Sequence, residues 1–202
     1  MNIFDNEHLA PNRYFDRNFD KNAVKILPGE YYATSEDTLL VTVLGSCVSA
    51  CIRDPITGVS GMNHFLLPAN KEDDPFLSES ARYGVYAMEI LINHMLKLGA
   101  IRNRLQAKIF GGANVLKGFR ANSVGEQNAN FVKDYLDNEN IRVVATDLLG
   151  VYPRKLYLFP DTGEVKVRKL KSMHNSTIID RESELQVKIK ASAHQGGDVD
   201  LF

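Results

Sequence analysis

Cys47 follows Leu44-Gly45-Ser46 directly, and the next histidine after it is His64, 17 residues further on in Asn63-His64. A thiol and an imidazole are the minimal pair for thiol catalysis. The imidazole stabilises the thiolate, the thiolate attacks an electrophilic carbon, and the imidazolium then protonates a departing amine. Gly45 permits a tight turn or a close backbone approach. A thiol on such a turn sits beside backbone N–H groups, near Gly45 and Ser46, that can point at a developing oxyanion. Residue types alone leave a second reading open. A buried cysteine is more often inert packing than a nucleophile, and a histidine in an apolar run is more often hydrogen-bonded core. Cys51, inside Ala50-Cys51-Ile52 with no glycine turn beside it, is the internal comparison and reads as core.

Other chemistries lack their residues. Cys47-x3-Cys51 has no second cysteine pair and no His-x3–5-His partner, so no metal is expected. Gly111-Gly112 is part of neither a P-loop nor a G-x-G-x-x-G pattern, and no cofactor is expected. There is no G-x-S-x-G elbow to make Ser46 a nucleophile. His8 and His194 lie in tail sequence, His94 on a long helix and His174 after the last strand, so each reads as solvated or structural.

The chain has 202 residues, is 44% hydrophobic and carries a formal charge of −1. That composition is globular and excludes a disordered chain. A near-neutral total argues against a nucleic-acid partner. No apolar run approaches the ~20 residues of a membrane span, so no membrane insertion is expected. The first residues are acidic and polar, with no basic region leading into an apolar one, so no signal peptide is read there. Two free thiols in a cytoplasmic protein is the resulting expectation.

The elements that must position the pair can be read from pattern. Strands are expected within 25–34, over 39–44 as a β-branched apolar run ending at Gly45, over 48–52 up to the Asp54-Pro55 turn, and over 59–67. A polar, Pro-broken loop is expected over 70–78. A helix over 79–98 carries Gly84, Met88, Leu91, Met95 and Leu98 on one stripe and stops at Gly99. Further strands are expected at 107–110 and 141–147, a second helix from near Asn128, and a hairpin from 155–159 and 165–170. This order predicts a single layered α/β sandwich domain with a mixed β-sheet and two main helices. Residues 1–22 read as an N-terminal arm, 23–172 as the domain and 173–202 as a polar C-terminal extension.

Thr42-Val43-Leu44-Gly45-Ser46-Cys47-Val48, then Asp54-Pro55, then Gly61-Met62-Asn63-His64-Phe65-Leu66-Leu67-Pro68 carry a similarity to a known family: here the sequence resembles the chemoreceptor glutamine deamidases of the CheD family. The similarity continues through Ala107-Lys108-Ile109-Phe110-Gly111-Gly112-Ala113 and Val124-Gly125-Glu126-Gln127-Asn128, in order from about Lys25 to Leu170. The resemblance implies a Cys-His-Thr triad that hydrolyses the side-chain amide of particular glutamines on methyl-accepting chemotaxis receptors, giving glutamate and ammonia. Cys47 falls on the family's nucleophile and His64 on its general acid/base. Some members place the threonine one residue further from the cysteine, where this chain has Val41, and Thr42 is the nearest match. A one-residue shift in a strand reverses its facing, so Thr42 needs a compensating turn or bulge to serve.

Two rivals stand beside this reading. One is a non-enzymatic module that binds a CheC-type phosphatase or a receptor, with Cys47 structural. The other is a thiol hydrolase of unrelated specificity. The final Gly196-Gly197-Asp198-Val199-Asp200-Leu201-Phe202 reads as a frayed terminus or a tethered docking peptide.

Overall fold

The computed structural model describes residues 8–67, 77–114, 123–171, 180, 182–185 and 187. Among them the strands are β1 (Asn12–Asp16), β2 (Lys21–Lys25), β3 (Tyr31–Thr34), β4 (Leu39–Leu44), β5 (Val48–Arg53), β6 (Ser60–Asn63), β7 (Gln106–Gly111), β8 (Arg142–Leu148), β9 (Arg154–Leu158) and β10 (Val165–Lys169). The helices α1 (Leu77–Lys97) and α2 (Val124–Asn138) complete the α/β architecture. The expected mixed sheet is resolved as two five-stranded sheets, ordered β1-β2-β4-β9-β10 and β3-β6-β5-β7-β8. Each is mixed: β2 runs parallel to β4 and β7 to β8, with the other pairings antiparallel.

Strand alternation explains the layers. In β5, Val48, Ala50 and Ile52 point into a core shared with Met88, Leu91, Ile92, Val132 and Leu136 of the two helices. Cys51, between them, points the other way, joining Leu40, Leu44, Leu156 and Leu158 of the second sheet. The order is therefore helices, sheet, sheet, and β5 is covered on both faces. In β4, Leu40 and Leu44 face this inter-sheet layer, while Leu39 and Val41 face outward against Tyr157 and Phe159.

Two local readings differ from the sequence expectation. Asn12–Asp16 and Lys21–Lys25, within and beside the expected arm, pair in register as two antiparallel strands, although their sequence has no clean apolar period. Helix α2 starts four residues before Asn128: Ser123 caps it by accepting from the Glu126 amide at 3.3 Å, the first half of a Ser-x-x-Glu capping box. Helix α1 ends as expected, with Gly99 at φ 99° closing its last turn. Residues 1–7, 70–76 and the 196–202 tail lie outside the described residues.

Candidate active site

The Gly45-Ser46-Cys47 turn carries the chain from β4 in one sheet to β5 in the other. It is seated on Gly111 and Gly112, the pair that ends β7. The Gly112 amide donates to the Cys47 carbonyl at 2.8 Å, and the Ala113 amide to the Gly45 carbonyl at 2.8 Å. Gly111 has φ 112°, and a Cβ there would lie 2.2 Å from the Cys47 carbonyl oxygen. Only glycine permits that approach, so the Gly-Gly pair serves the cysteine turn. Buried Asn128 ties the turn to the histidine segment: its Nδ2 donates to the Ser46 carbonyl at 2.9 Å, and its Oδ1 accepts from the Leu67 amide at 2.7 Å. Arg154 Nη1 donates to the Gly111 carbonyl at 3.0 Å, bracing the seat from the second sheet.

His64 follows β6, and Val48 and Phe65 exchange both backbone hydrogen bonds at 3.0 Å. Val48 and Phe65 point into the helix-side core. Alternation then puts Cys47 and His64 on the opposite face as diagonal neighbours, a relation that spans ~7–8 Å between backbones and less between side chains. The Cys47 amide donates to Glu182 Oε1 at 3.2 Å, and the Glu182 carboxylate favours the protonated form of His64.

Thr42 shares the inward face of Leu40 and Leu44, and its Oγ1 lies 2.8 Å from His64 Nδ1. No shift or bulge is needed: β4 pairs in unbroken register with β9, and Val41 faces the outer layer. The Thr42 hydroxyl donates its single proton to the Ile26 carbonyl at 2.8 Å. It must therefore accept from Nδ1–H, which fixes the tautomer and leaves Nε2 as the proton acceptor. Nε2 is buried and has no hydrogen-bond partner among the described residues. Thr42→Val keeps the shape but strands both Nδ1 and the Ile26 carbonyl. At ~1–3 kcal/mol for a buried unsatisfied group, kcat should fall roughly tenfold to a hundredfold, measured by steady-state ammonia release.

Burial holds His64 down to about 4, against the opposing pull of Glu182 and the Ile26 carbonyl. The unfolded chain, with an ordinary imidazole near ~6.5, binds more protons than the folded chain between those limits. Stability must then fall as pH drops from ~6.5 towards 4. Urea unfolding across this window should show that slope in the wild type and a shallower one in His64→Leu.

Cys47 is fully buried, and its thiol is pushed well above the ordinary range, first by burial and then by the Glu182 carboxylate. Glu182 fills the turn's hydrogen-bonding capacity. Its Oε1 accepts from the Gly45 and Cys47 amides at 3.1 and 3.2 Å. Its Oε2 accepts from the Ser46 amide at 3.2 Å and the Ser46 hydroxyl at 2.6 Å. These donors form a cradle for an anion or a polarised carbonyl. Cys51 lies between the sheets, its thiol raised to about 12 by burial.

The residues expected to do chemistry (Thr42, Gly45, Ser46, Cys47 and His64) are thus gathered at one end of the inter-sheet layer. Sequence reasoning missed Glu182, the bracing Asn128 and Arg154, and Tyr83. Burial raises the Tyr83 phenol to about 12, with Cys47 adding to the effect. Asn128 was legible as part of the Glu-Gln-Asn motif, but Glu182 had no signal in a polar extension.

The CheD family, described as CheD chemotactic sensory transduction, matches residues 66–169. That span begins after His64. Three relatives extend the similarity over nearly the whole chain. A probable chemoreceptor glutamine deamidase CheD 1 of Shewanella oneidensis is 62% identical over 95% of this chain and 93% of its own length. Probable chemoreceptor glutamine deamidases CheD of Methylobacillus flagellatus and Herminiimonas arsenicoxydans are 59% and 56% identical. The first alignment covers 97% of both chains and the second 100% of both. A solved structure, the Bacillus licheniformis hypothetical protein YfiH, is similar with TM-score 0.39 and 11% identity, covering 59% of this chain and 51% of its own. With a matching family over half its length and relatives this close across nearly all of it, the chain belongs to the CheD family.

Proposed function

We propose that this protein hydrolyses glutamine side chains of chemotaxis receptors to glutamate, with Cys47 as nucleophile, His64 as acid/base and Thr42 orienting His64. The observation that carries this reading is the unpartnered His64 Nε2, oriented through Nδ1 by Thr42, beside a cysteine turn rich in N–H donors. His64 Nε2 takes the Cys47 proton, and the thiolate attacks the carboxamide carbon. The oxyanion is received by the Gly45 and Cys47 amides. The imidazolium passes its proton to the departing nitrogen, so ammonia leaves and a thioester remains. Water, deprotonated by the same Nε2, cleaves the thioester, giving glutamate and returning the thiol.

The substrate is a folded receptor helix, and the relatives' names point to chemoreceptors. No helix among the described residues is long and apolar enough to cross a membrane. We place the protein in the cytoplasm, where its thiols stay reduced, and assign residues 23–172 to the deamidase domain, with β1 and the start of β2 joined to its sheet. A CheC-type phosphatase is proposed as a second partner. The rival binding module makes no ammonia. Ammonia release from purified receptor, coupled to glutamate dehydrogenase, should be abolished by Cys47→Ala; release at an equal rate from both proteins overturns the assignment.

A further inference from the structure

Resting on that reading, the buried Glu182 has a specific meaning. A glutamate side chain is the chemical product of glutamine deamidation, and this one lies 7% exposed with both oxygens in the cradle. Oε1 occupies the place of a reacting carbonyl oxygen, held by two amides. Oε2, held by the Ser46 amide and hydroxyl, occupies the position from which an amide nitrogen would have left. Residues 180, 182–185 and 187 are helical. One turn after Glu182, at i+3 on the same helix face, Leu185 packs against the inter-sheet core. Its Cδ1 covers Gly29 so closely that a Cβ there would meet it at 3.1 Å, with the Tyr83 hydroxyl at 3.8 Å.

We propose that the helix bearing Glu182 is a tethered product mimic that competes with receptor for the active site. The same geometry describes the substrate it imitates: a helix presenting a glutamine to the cradle and an apolar side chain three residues later to the surface around Gly29 and Tyr83. A carboxylate accepts from every donor of the cradle, whereas a carboxamide nitrogen cannot accept from the Ser46 amide. The encoded glutamate therefore closes the site more tightly than a glutamine would. Receptor must displace it, so turnover depends on the fraction of open enzyme.

The sharpest test converts the mimic into substrate. In Glu182→Gln the tethered carboxamide lies beside Cys47, and hydrolysis consumes one water, releases one ammonia and restores glutamate at 182. Peptide mass spectrometry of purified full-length Glu182→Gln should find glutamate at 182. In Glu182→Gln/Cys47→Ala it should find glutamine. The conversion rate should not change on dilution, because the reaction is intramolecular. Glutamine retained at 182 while the same preparation deamidates receptor overturns the mimic and leaves the function standing. Glutamine retained at 182 with receptor also untouched overturns both. A second measurement reads competition. Leu185→Ser loosens the helix without altering the cradle, and should lower the KM for receptor about tenfold with kcat unchanged. An unchanged or higher KM contradicts the proposal.

Discussion

His64→Ala is expected to lower receptor deamidation by about 10²–10⁴-fold, the usual contribution of positioned acid–base catalysis, and Cys47→Ala to leave only background hydrolysis. The double variant should be no worse than Cys47→Ala alone, because the two groups act as one unit. The physical reason lies in the proton path. Burial keeps the Cys47 thiol protonated, so it becomes a nucleophile only by handing its proton to a base. Thr42 leaves His64 Nε2 free for that role. The same nitrogen must later protonate the departing carboxamide nitrogen so that ammonia leaves, since an amide anion is a very poor leaving group. Strictly multiplicative losses in the double variant would mean that the two residues serve separate functions.

Gly111→Ala should be the most damaging substitution outside the reacting residues. The positive φ of 112° alone disfavours a side chain by ~1–3 kcal/mol. The new Cβ would also stand 2.2 Å from the Cys47 carbonyl oxygen and 2.9 Å from Val48 Cα. Neither contact is with a flexible side-chain tip, so the cysteine turn itself must move. Displacement of a reacting group by ~1 Å costs about a hundredfold in rate, so kcat should fall by at least about that factor in protein that remains folded. Gly58→Ala is the control. Gly58 also has a positive φ, 76°, but a Cβ there meets nothing within 4 Å. It should lower the unfolding midpoint through backbone strain alone and leave kcat unchanged. Equal kcat losses in the two variants would remove the Cys47 contact as the cause.

The contrast between these glycines marks how far the sequence could be read. Leu39–Leu44, Val48–Arg53 and the α1 stripe announce themselves through apolar periods, because both faces of β4 and of β5 and one face of the helix are buried. The cysteine turn was legible because Gly45 breaks the first of those runs. Thr42 was ambiguous by one residue, since its role depends on which face of β4 looks inward; Leu40 and Leu44 settle that only once the second sheet is in place. Asn12–Lys25 gave no pattern because β1 packs few apolar side chains and is largely exposed. The division into two sheets was hidden because β4 and β5, adjacent in sequence, separate across the turn that carries Cys47. Glu182 was invisible for a different reason. Its importance comes from 135 to 137 residues of sequence separation to the amides it meets, and no local pattern encodes such a contact.

Peptide mass spectrometry of receptor incubated with wild type and with Cys47→Ala reads directly whether the Cys47 thiol converts receptor glutamine to glutamate. Wild type should produce the carboxamide-to-carboxylate mass change at defined receptor glutamines, and Cys47→Ala none above background. The same glutamines converted at the same rate by both proteins would remove Cys47 as the nucleophile.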